Sequence, residues 1–439
     1  MDSLDNTAAY QVITARDARF DGRLFVGVTS TGIYCRPICR VRTPLRKNCR
    51  FFTTPAQAEA ESFRPCMKCR PELAPGAGLA WSVMDASRTL ARQAAEALDE
   101  QAASGDAKSL VDVAGRLGVS DRHLRRIFQT EHGVTPLQYL QTRRLLLAKQ
   151  LLTDTKLPVA QIALASGFNS LRRFNAAFVE SYRMSPSRLR GEVEYDELAS
   201  DAGVTVKLAY RAPYDVDAFL RFIAQRAIPD VEAVAGRCIR RSLRAGAVTA
   251  DAGWLEVEFA TNAPIVHLRF APELAPASGR VVAAVRRWLD LDATPEAIDT
   301  ALAALPGAPG LRLPGGTDVF ELAVRAVLGQ QVTVAAARTI AKRLVERFGV
   351  PLATRARPEA LIARLCEIKG IGPWTAHYIA MRALGWPDAF PPNDVAVLKA
   401  MKELFGTASQ READQHAQPW QPWRAYAVLR LWNSLEKQP

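Results

Sequence analysis

The sequence predicts a multidomain α+β protein: a small cysteine-rich N-terminal domain, an all-α region, a small antiparallel sheet/helix subdomain and an all-α C-terminal domain. Three observations carry this prediction. At 439 residues the chain exceeds what one ordinary core accommodates. Its composition breaks at PELAPGAGLA (71–80), SGDAKS (104–109) and the acidic EVEYDELASDAG (192–203). Its apolar period is helical from about residue 81 to about residue 190, changes to two in VTVKLAY, WLEVEFA and PIVHLRF, and becomes helical again after about residue 280. The domains expected are 1–78, 79–192, 204–285 and 286–439.

The N-terminal region is set apart by its cysteines and its charge. Hydrophobic content of 49% with 23% charged residues is that of a soluble globular chain. There is no apolar run long enough to span a membrane, and the first residues lack the basic start and apolar core of a signal peptide. A cytoplasmic location is expected, where paired cysteines are better read as metal ligands than as disulfides. Net charge is +12. Residues 1–192 hold 28 Lys and Arg against 18 Asp and Glu, and the remainder 29 against 27. A cationic front end points to a polyanion, most simply double-stranded DNA.

Cys35, Cys39, Cys66 and Cys69 stand as C-x3-C and C-x2-C with 26 residues between the pairs. Two short-spaced pairs joined by a loop let four thiolates converge on one Zn²⁺. The plainer reading, free buried thiols, sits poorly with five cysteines in 35 residues. Cys49 has no partner at ligand spacing and reads as a small core residue. Arg36, Arg40, Arg42, Arg46, Lys47 and Arg50 crowd the first pair and would draw phosphates close. Zinc holds a thiolate deprotonated, which is the nucleophilic form, so an exposed one beside DNA could attack an electrophilic carbon. STGIYCRPICR, KNCRFF and FRPCMKCRP resemble the N-terminal domain of bacterial Ada methylation-response proteins over about residues 10–75. The resemblance implies that Cys35 accepts a methyl group from a DNA methylphosphotriester, and that the methylated site, less negative, binds DNA more tightly.

SLVDVAGRLGVSDRHLRRIFQTEHGVTP sets an apolar helix, a turn at Gly118 and an Arg/His-rich helix in sequence. PVAQIALASGFNSLRRFNAAFVESYRMSP repeats the plan with its turn at Gly167. Two helix-turn-helix units follow, each offering its second helix to a major groove. The DNA-contacting candidates are Arg122, His123 and Arg125 in the first and Asn169, Ser170 and Arg172 in the second. Arg143 and Arg144 fit the linking helix or contacts to phosphates, and Leu124, Phe128, Phe174 and Phe178 fit the core. A-x-x-x-G-F-x-S followed by F-x-x-x-F resembles AraC-type regulators, which implies promoter DNA and RNA polymerase as partners.

In LCEIKGIGPWTAHYIAMRAL (365–384), Gly370 and Gly372 lie between two apolar-periodic helices. Such a helix-hairpin-helix offers backbone amides to a phosphate and its carbonyls to a monovalent cation. Beyond it, FPPNDVAVLKAM places Asp394 at a helix start, where the plainer role is an N-cap. With APYDVDAFLRFIAQRA, GLRLPGGTDVFELAVRAVLGQQVTVAAA and PWRAYAVLRLW, these stretches resemble AlkA-type 3-methyladenine-DNA glycosylases of the helix-hairpin-helix superfamily over residues 204–439. The resemblance implies that Asp394 is catalytic, that Gln331 wedges into the duplex, and that Phe222, Trp374, Tyr378 and Trp432 line the base pocket. Ordinary helix core is the plainer reading of those rings. Asn433 stands where some relatives carry an aromatic residue, and Trp374 stands where lyase-competent relatives carry a lysine, so no strand cleavage is expected. The chain is shorter than these relatives near 350–362. No PCHR motif occurs, so guanine O6-methyl transfer is not expected.

These readings combine as an Ada–AlkA fusion: a methyl-sensing zinc domain, an AraC-type DNA binder and a base-excision glycosylase, in a nucleoid-associated cytoplasmic protein. Two rivals stay open: a transcription regulator with a degenerate, inactive C-terminal half, and a zinc-thiolate redox sensor.

Overall fold

The computed structural model describes residues 6–76, 86–105, 109–190, 203–229, 231–244, 252–330, 332–348, 372–383, 386–407 and 409–435. Nine named strands occur among them. β1 (Phe25–Val28), β2 (Ile33–Cys35), β3 (Cys49–Phe52) and β4 (Arg64–Pro65) make a sheet of order β3-β1-β2-β4. β5 (Val204–Ala209), β6 (Glu232–Ala235), β7 (Cys238–Arg244), β8 (Ala252–Phe259) and β9 (Ile265–Phe270) make another of order β5-β9-β8-β7-β6. The chain divides into two compact units, residues 1–210 with 248–255 and 262–283, and residues 211–247 with 256–261 and 284–439.

In the first unit the small sheet gathers the cysteines. β2 ends at Cys35 and pairs in parallel with β4, Tyr34 opposite Pro65, and Cys66 N donates to Tyr34 O at 3.0 Å. The second cysteine pair thereby meets the first. Gly27 in β1 has to be glycine, because a Cβ there would stand 2.8 Å from Phe52. One side of this layer packs Ala9, Val12, Ile13, Leu24 and Val26 around the sulfurs.

The helical part follows the predicted plan. Leu110–Arg116 and Asp121–His132 form one helix-turn-helix, Val159–Ala165 and Leu171–Tyr182 the other, and Pro136–Asp154 links them. Gly118 and Gly167 adopt φ of +71° and +78°, the left-handed turn that glycine reaches without strain. Ser120 and Ser170 cap the two recognition helices, accepting from His123 N and Arg173 N. Leu124, Phe128, Phe174 and Phe178 are fully buried, as expected. The linking helix is buried along most of its length because the N-terminal domain also packs on it. Tyr34 Oη and Thr142 Oγ1 both donate to Glu59, each at 3.0 Å. Arg70 pairs with Asp154 at 2.6 Å, and Lys149 pairs with Glu72, both side chains 1% exposed. β5 and β9 run antiparallel from Val204↔Phe270 to Ala209↔Ile265, with the expected alternating burial.

In the second unit, β6 and β7 pair antiparallel. The sequence reading missed both. CIRRSLR hides its period because Arg241 turns inward, 5% exposed, while Arg240 is exposed and pairs with Glu256. Helices Val319–Leu328 and Pro373–Ala383 pack together, as do Val395–Phe405 and Arg424–Leu435. Gln331, Gly370, the first arm of the hairpin and the shortened stretch near 350–362 lie outside the described residues.

Candidate functional site

The four predicted ligand sulfurs lie within 4.8 Å of one another. Sulfurs at ~2.3 Å from a tetrahedral zinc stand about 3.8 Å apart, so a slight contraction closes the site. Two backbone amides point at sulfur, Arg36 N to Cys69 Sγ at 3.3 Å and Lys68 N to Cys66 Sγ at 3.4 Å. Such donors favour thiolates, and the residues fit the metal. Hydrogen bonds from Cys35, Cys39 and Cys69 pull Cys66 far below the ordinary thiol range, while Cys35, the shared donor, is pushed up.

Two details correct the sequence reading. Cys35 is not exposed: it is 5% accessible, whereas Cys69 is the half-buried member of the set. The reason is its place at the end of β2, facing the apolar cluster. Arg36 is also turned inward: its guanidinium lies against Asp21, and Nη1 donates to Cys69 O at 3.2 Å. It braces the site and is spent on that task. Arg40, Arg42, Arg46, Lys47 and Arg50 remain exposed. Cys49 is half-buried, its Sγ 3.4 Å from Leu45 O.

On the first recognition helix Arg122 and Arg125 are exposed and His123 is half-buried. Arg125 pairs with Asp121 at 2.9 Å, and His123 Nδ1 meets Arg126 at 3.1 Å. On the second, Asn169 and Arg172 are exposed, whereas the Ser170 hydroxyl is occupied as the cap. Arg143 pairs with Asp99 at 2.6 Å, and Arg144 is half-buried against Gly167, burial pushing its guanidinium down. Both are thus engaged by neighbours of the linking helix within this unit.

In the second unit Asp394 caps Val395–Phe405 and more. Its Oδ1 accepts from Val397 N at 2.8 Å and from Trp432 Nε1 at 3.0 Å, and its Oδ2 accepts from Trp374 Nε1 at 2.6 Å. A carboxylate has about four acceptor sites, so one is left on Oδ2. Trp374 and Tyr378 stack at 5.2 Å and 13°, and Trp432 lies 6.2 Å from Tyr378. These rings are partly buried, and Tyr378 also packs against Leu322, Ala326 and Ile379. With Phe222 and Asp394 they line a cavity of about 450 Å³, a volume of the class that takes a base-sized ligand. Gly372 and Asn433 are exposed and not among the cavity-lining residues.

Sequence reasoning missed the charged wall of this cavity. Arg325 lies 2.9 Å from Glu232 and 2.6 Å from Glu321, and Arg241 lies 2.6 Å from Glu321 and 3.5 Å from Glu232. Burial pushes Glu321 up, but Arg241 and Arg325 outweigh it and hold the carboxyl below its usual range. Two guanidiniums, those of Arg226 and Arg382, stack on Phe222 at 3.8 and 4.5 Å. The only signal in the sequence was Arg recurring among apolar positions, which looks like an ordinary solvated face.

The comparisons with known proteins agree with this division of labour. Residues 8–72 match the metal binding domain of Ada, residues 113–192 a helix-turn-helix domain, and residues 205–318 the AlkA N-terminal domain. A "Probable bifunctional transcriptional activator/DNA repair enzyme AlkA" of Mycobacterium tuberculosis is 35% identical over 98% of this chain and 97% of its own length. That alignment runs over 498 residues, more than the 439 here, so the relative carries residues without a counterpart in this chain. A "DNA-3-methyladenine glycosylase 2" of Escherichia coli is 31% identical over 53% of this chain and 98% of its own length. A "Bifunctional transcriptional activator/DNA repair enzyme AdaA" of Bacillus subtilis is 28% identical over 43% of this chain and 84% of its own length. Converging thiols, paired helix-turn-helix units and a carboxylate in an aromatic cavity thus occur together in a chain that belongs to the family of bifunctional transcriptional activator/DNA repair enzymes, an Ada-type regulator fused to an AlkA-type glycosylase.

Proposed function

We propose that the C-terminal unit is a monofunctional DNA-3-methyladenine glycosylase of the type II class, with Asp394 as its catalytic carboxylate. The observation that carries this is Asp394 held by two indole N–H groups in the wall of an aromatic cavity. Alkylation at N3 or N7 makes a purine cationic and weakens its glycosidic bond. Flipping costs a few kcal/mol, less for a poorly stacked lesion. The N-glycosidic bond breaks with its electron pair leaving on the base, which departs neutral. Charge develops on the sugar, and the fixed negative charge of Asp394 stabilises it. Water adds at the sugar carbon, and its proton passes to the open site on Oδ2. Trp374 and Trp432 orient the carboxylate. With Tyr378 they present rings to the base. The stretch with Gly370 and Gly372 would hold the DNA backbone and could offer carbonyls to a monovalent cation, and Gln331 would fill the gap left by the flipped base.

The N-terminal part reads DNA and reports methylation. Zinc, held by Cys35, Cys39, Cys66 and Cys69, would keep the sulfurs deprotonated. Cys35 attacks a methylphosphotriester: an S–C bond forms, the C–O bond breaks, and its electron pair stays on the phosphate, leaving a diester. The site loses one negative charge, and repulsion from phosphates falls. Arg122, His123, Arg125, Asn169 and Arg172 form the base-reading edge, Ser170 capping the helix that presents the last of them, and RNA polymerase is the partner of the bound activator.

Purified full-length protein given duplex DNA methylated at adenine N3 should release free 3-methyladenine, and Asp394→Asn should abolish release while DNA binding persists. A wild-type protein inert on that DNA supports the degenerate-regulator reading instead. A methyl label appearing on Cys39, Cys66 or Cys69 rather than Cys35 rules out the assigned acceptor.

A further inference from the structure

The linking helix Pro136–Asp154 ends on an acid, where a carboxylate faces the negative end of the helix dipole. Asp154 is nevertheless buried, its side chain 4% exposed, because partners from either side of it in the sequence hold it. Its Oδ1 accepts from Arg70 Nη1 at 2.6 Å, and its Oδ2 accepts from Lys207 N at 3.1 Å. One turn earlier Gln150, 5% exposed, donates through Nε2 to Lys207 O at 2.9 Å. Lys207 lies in β5, the edge strand of its sheet and the first strand of the region that matches the AlkA N-terminal domain. Along an antiparallel edge every second residue turns both its N–H and its C=O away from the neighbouring strand, and those groups need a covering element. The linking helix takes both groups of Lys207 with two side chains, while the lysine side chain itself stays exposed. A second close approach comes at Gly279, where a Cβ would stand 2.5 Å from Ala103 O and 3.0 Å from Leu147 of the linking helix.

Arg70 connects this surface to the thiol site. It follows Cys69, donates its backbone N–H to Cys66 O at 3.2 Å, and holds φ at +54°. A residue with a side chain keeps that conformation only where its surroundings impose it. The turn from Cys66 to Cys69 imposes it, and the gathering of their sulfurs fixes the turn. We infer that the linking helix is a docking surface for the open edge of β5, and that Asp154 makes the dock depend on the closed form of the thiol site. The edge is recognised through main-chain groups, so the dock does not depend on which side chains β5 turns to solvent. While the four sulfurs are held together, Arg70 stays in place and Asp154 is fixed between Arg70 and Lys207. Once they are no longer held, Arg70 relaxes out of the left-handed region. Asp154, left without its cation at a helix C-terminus, turns to water and gives up Lys207. The sensor thereby holds or releases the strand that opens the AlkA-type part of the chain.

Hydrogen exchange of the full, zinc-loaded chain, resolved to single amides, tests both parts of this. The Lys207 amide should be protected nearly as well as those of Val206 and Leu208, which face β9 in register with Leu268 and Val266. Asp154→Ala should speed exchange at Lys207 at least about tenfold, the scale of one hydrogen bond to a charged group, and leave Val206 and Leu208 unchanged. Gly279→Ala, which alters neither Asp154 nor Lys207, should also speed Lys207 by forcing the two surfaces apart. Arg70→Ala should speed it while metal analysis still finds one zinc per chain. Chelating zinc from the wild type should give the same increase, again with Val206 and Leu208 unchanged. An unprotected Lys207 amide in the wild type overturns the dock. Equal exchange at Lys207 before and after chelation overturns its dependence on the thiol site. Loss of protection along the whole of β5 in Asp154→Ala and Gln150→Ala alike also overturns the inference, since those side chains would then hold up the fold and not an edge.

Discussion

At the scale of single residues, Asp394 and Glu59 show how hydrogen-bond partners and burial give two carboxyls opposite tasks. Asp394 meets three N–H donors, an arrangement that suits a charged carboxylate. Trp432→Phe keeps a ring in the cavity wall but removes one donor, so the base-release rate should fall about tenfold with DNA affinity nearly constant, as single-turnover kinetics would show. Glu59 meets only the hydroxyls of Tyr34 and Thr142, and burial raises its carboxyl to about 8 despite those bonds and Lys149. The unfolded carboxyl loses its proton near 4.5 and the folded one near 8, so the folded state binds the extra proton between those values. Stability of the first unit should therefore fall as pH rises from about 4.5 to about 8 and level off above. Glu59→Gln should flatten that slope and leave the variant roughly a few kcal/mol more stable than wild type at pH 8, measured by urea melts across the range.

At the scale of elements, the parallel pairing of β2 with β4 brings two cysteine pairs from distant sequence into one cluster. Bound metal then adds ~10 kcal/mol or more to the fold. Cys66→Ala should unfold the N-terminal sheet and reduce bound zinc to background, whereas Cys49→Ala should change the melting temperature by no more than a few degrees. Metal analysis and circular dichroism read both, and equal damage from the two variants would contradict the ligand set. The helix-turn-helix units were legible down to their turns, because Gly118, Gly167, Ser120 and Ser170 act on backbone within a few residues of themselves. β7 was not legible, since the environment that lets Arg241 turn inward is supplied by Glu232 and Glu321, far apart in sequence.

At the scale of the whole molecule, the first unit joins the thiol site to the DNA-reading helices through buried polar contacts rather than a loose tether. Arg70 and Glu72 lie within three residues of Cys69 and lock onto Asp154 and Lys149 of the linking helix. Lys149→Met would leave the Glu72 carboxylate short of one partner in a dry seam, a loss of about 3 kcal/mol. The N-terminal sheet and the helix-turn-helix region should then melt together at a lower temperature. Separate transitions, seen by hydrogen exchange of the two regions, would show that the seam does not couple them.

The sequence by itself determined the order of the modules, the four cysteines that the fold gathers, both helix-turn-helix units and the position of Asp394 at a helix start. These are written in short spacings, caps and turns, where cause and effect lie within a few residues or match a motif of fixed length. Only the tertiary structure decided that Cys35 and Arg36 face inward, that Glu59 stays protonated near neutral pH, and that Asp394 is held by Trp374 and Trp432. Burial and partnership of charge depend on groups brought together from distant parts of the chain, and a linear pattern carries no record of which groups those are.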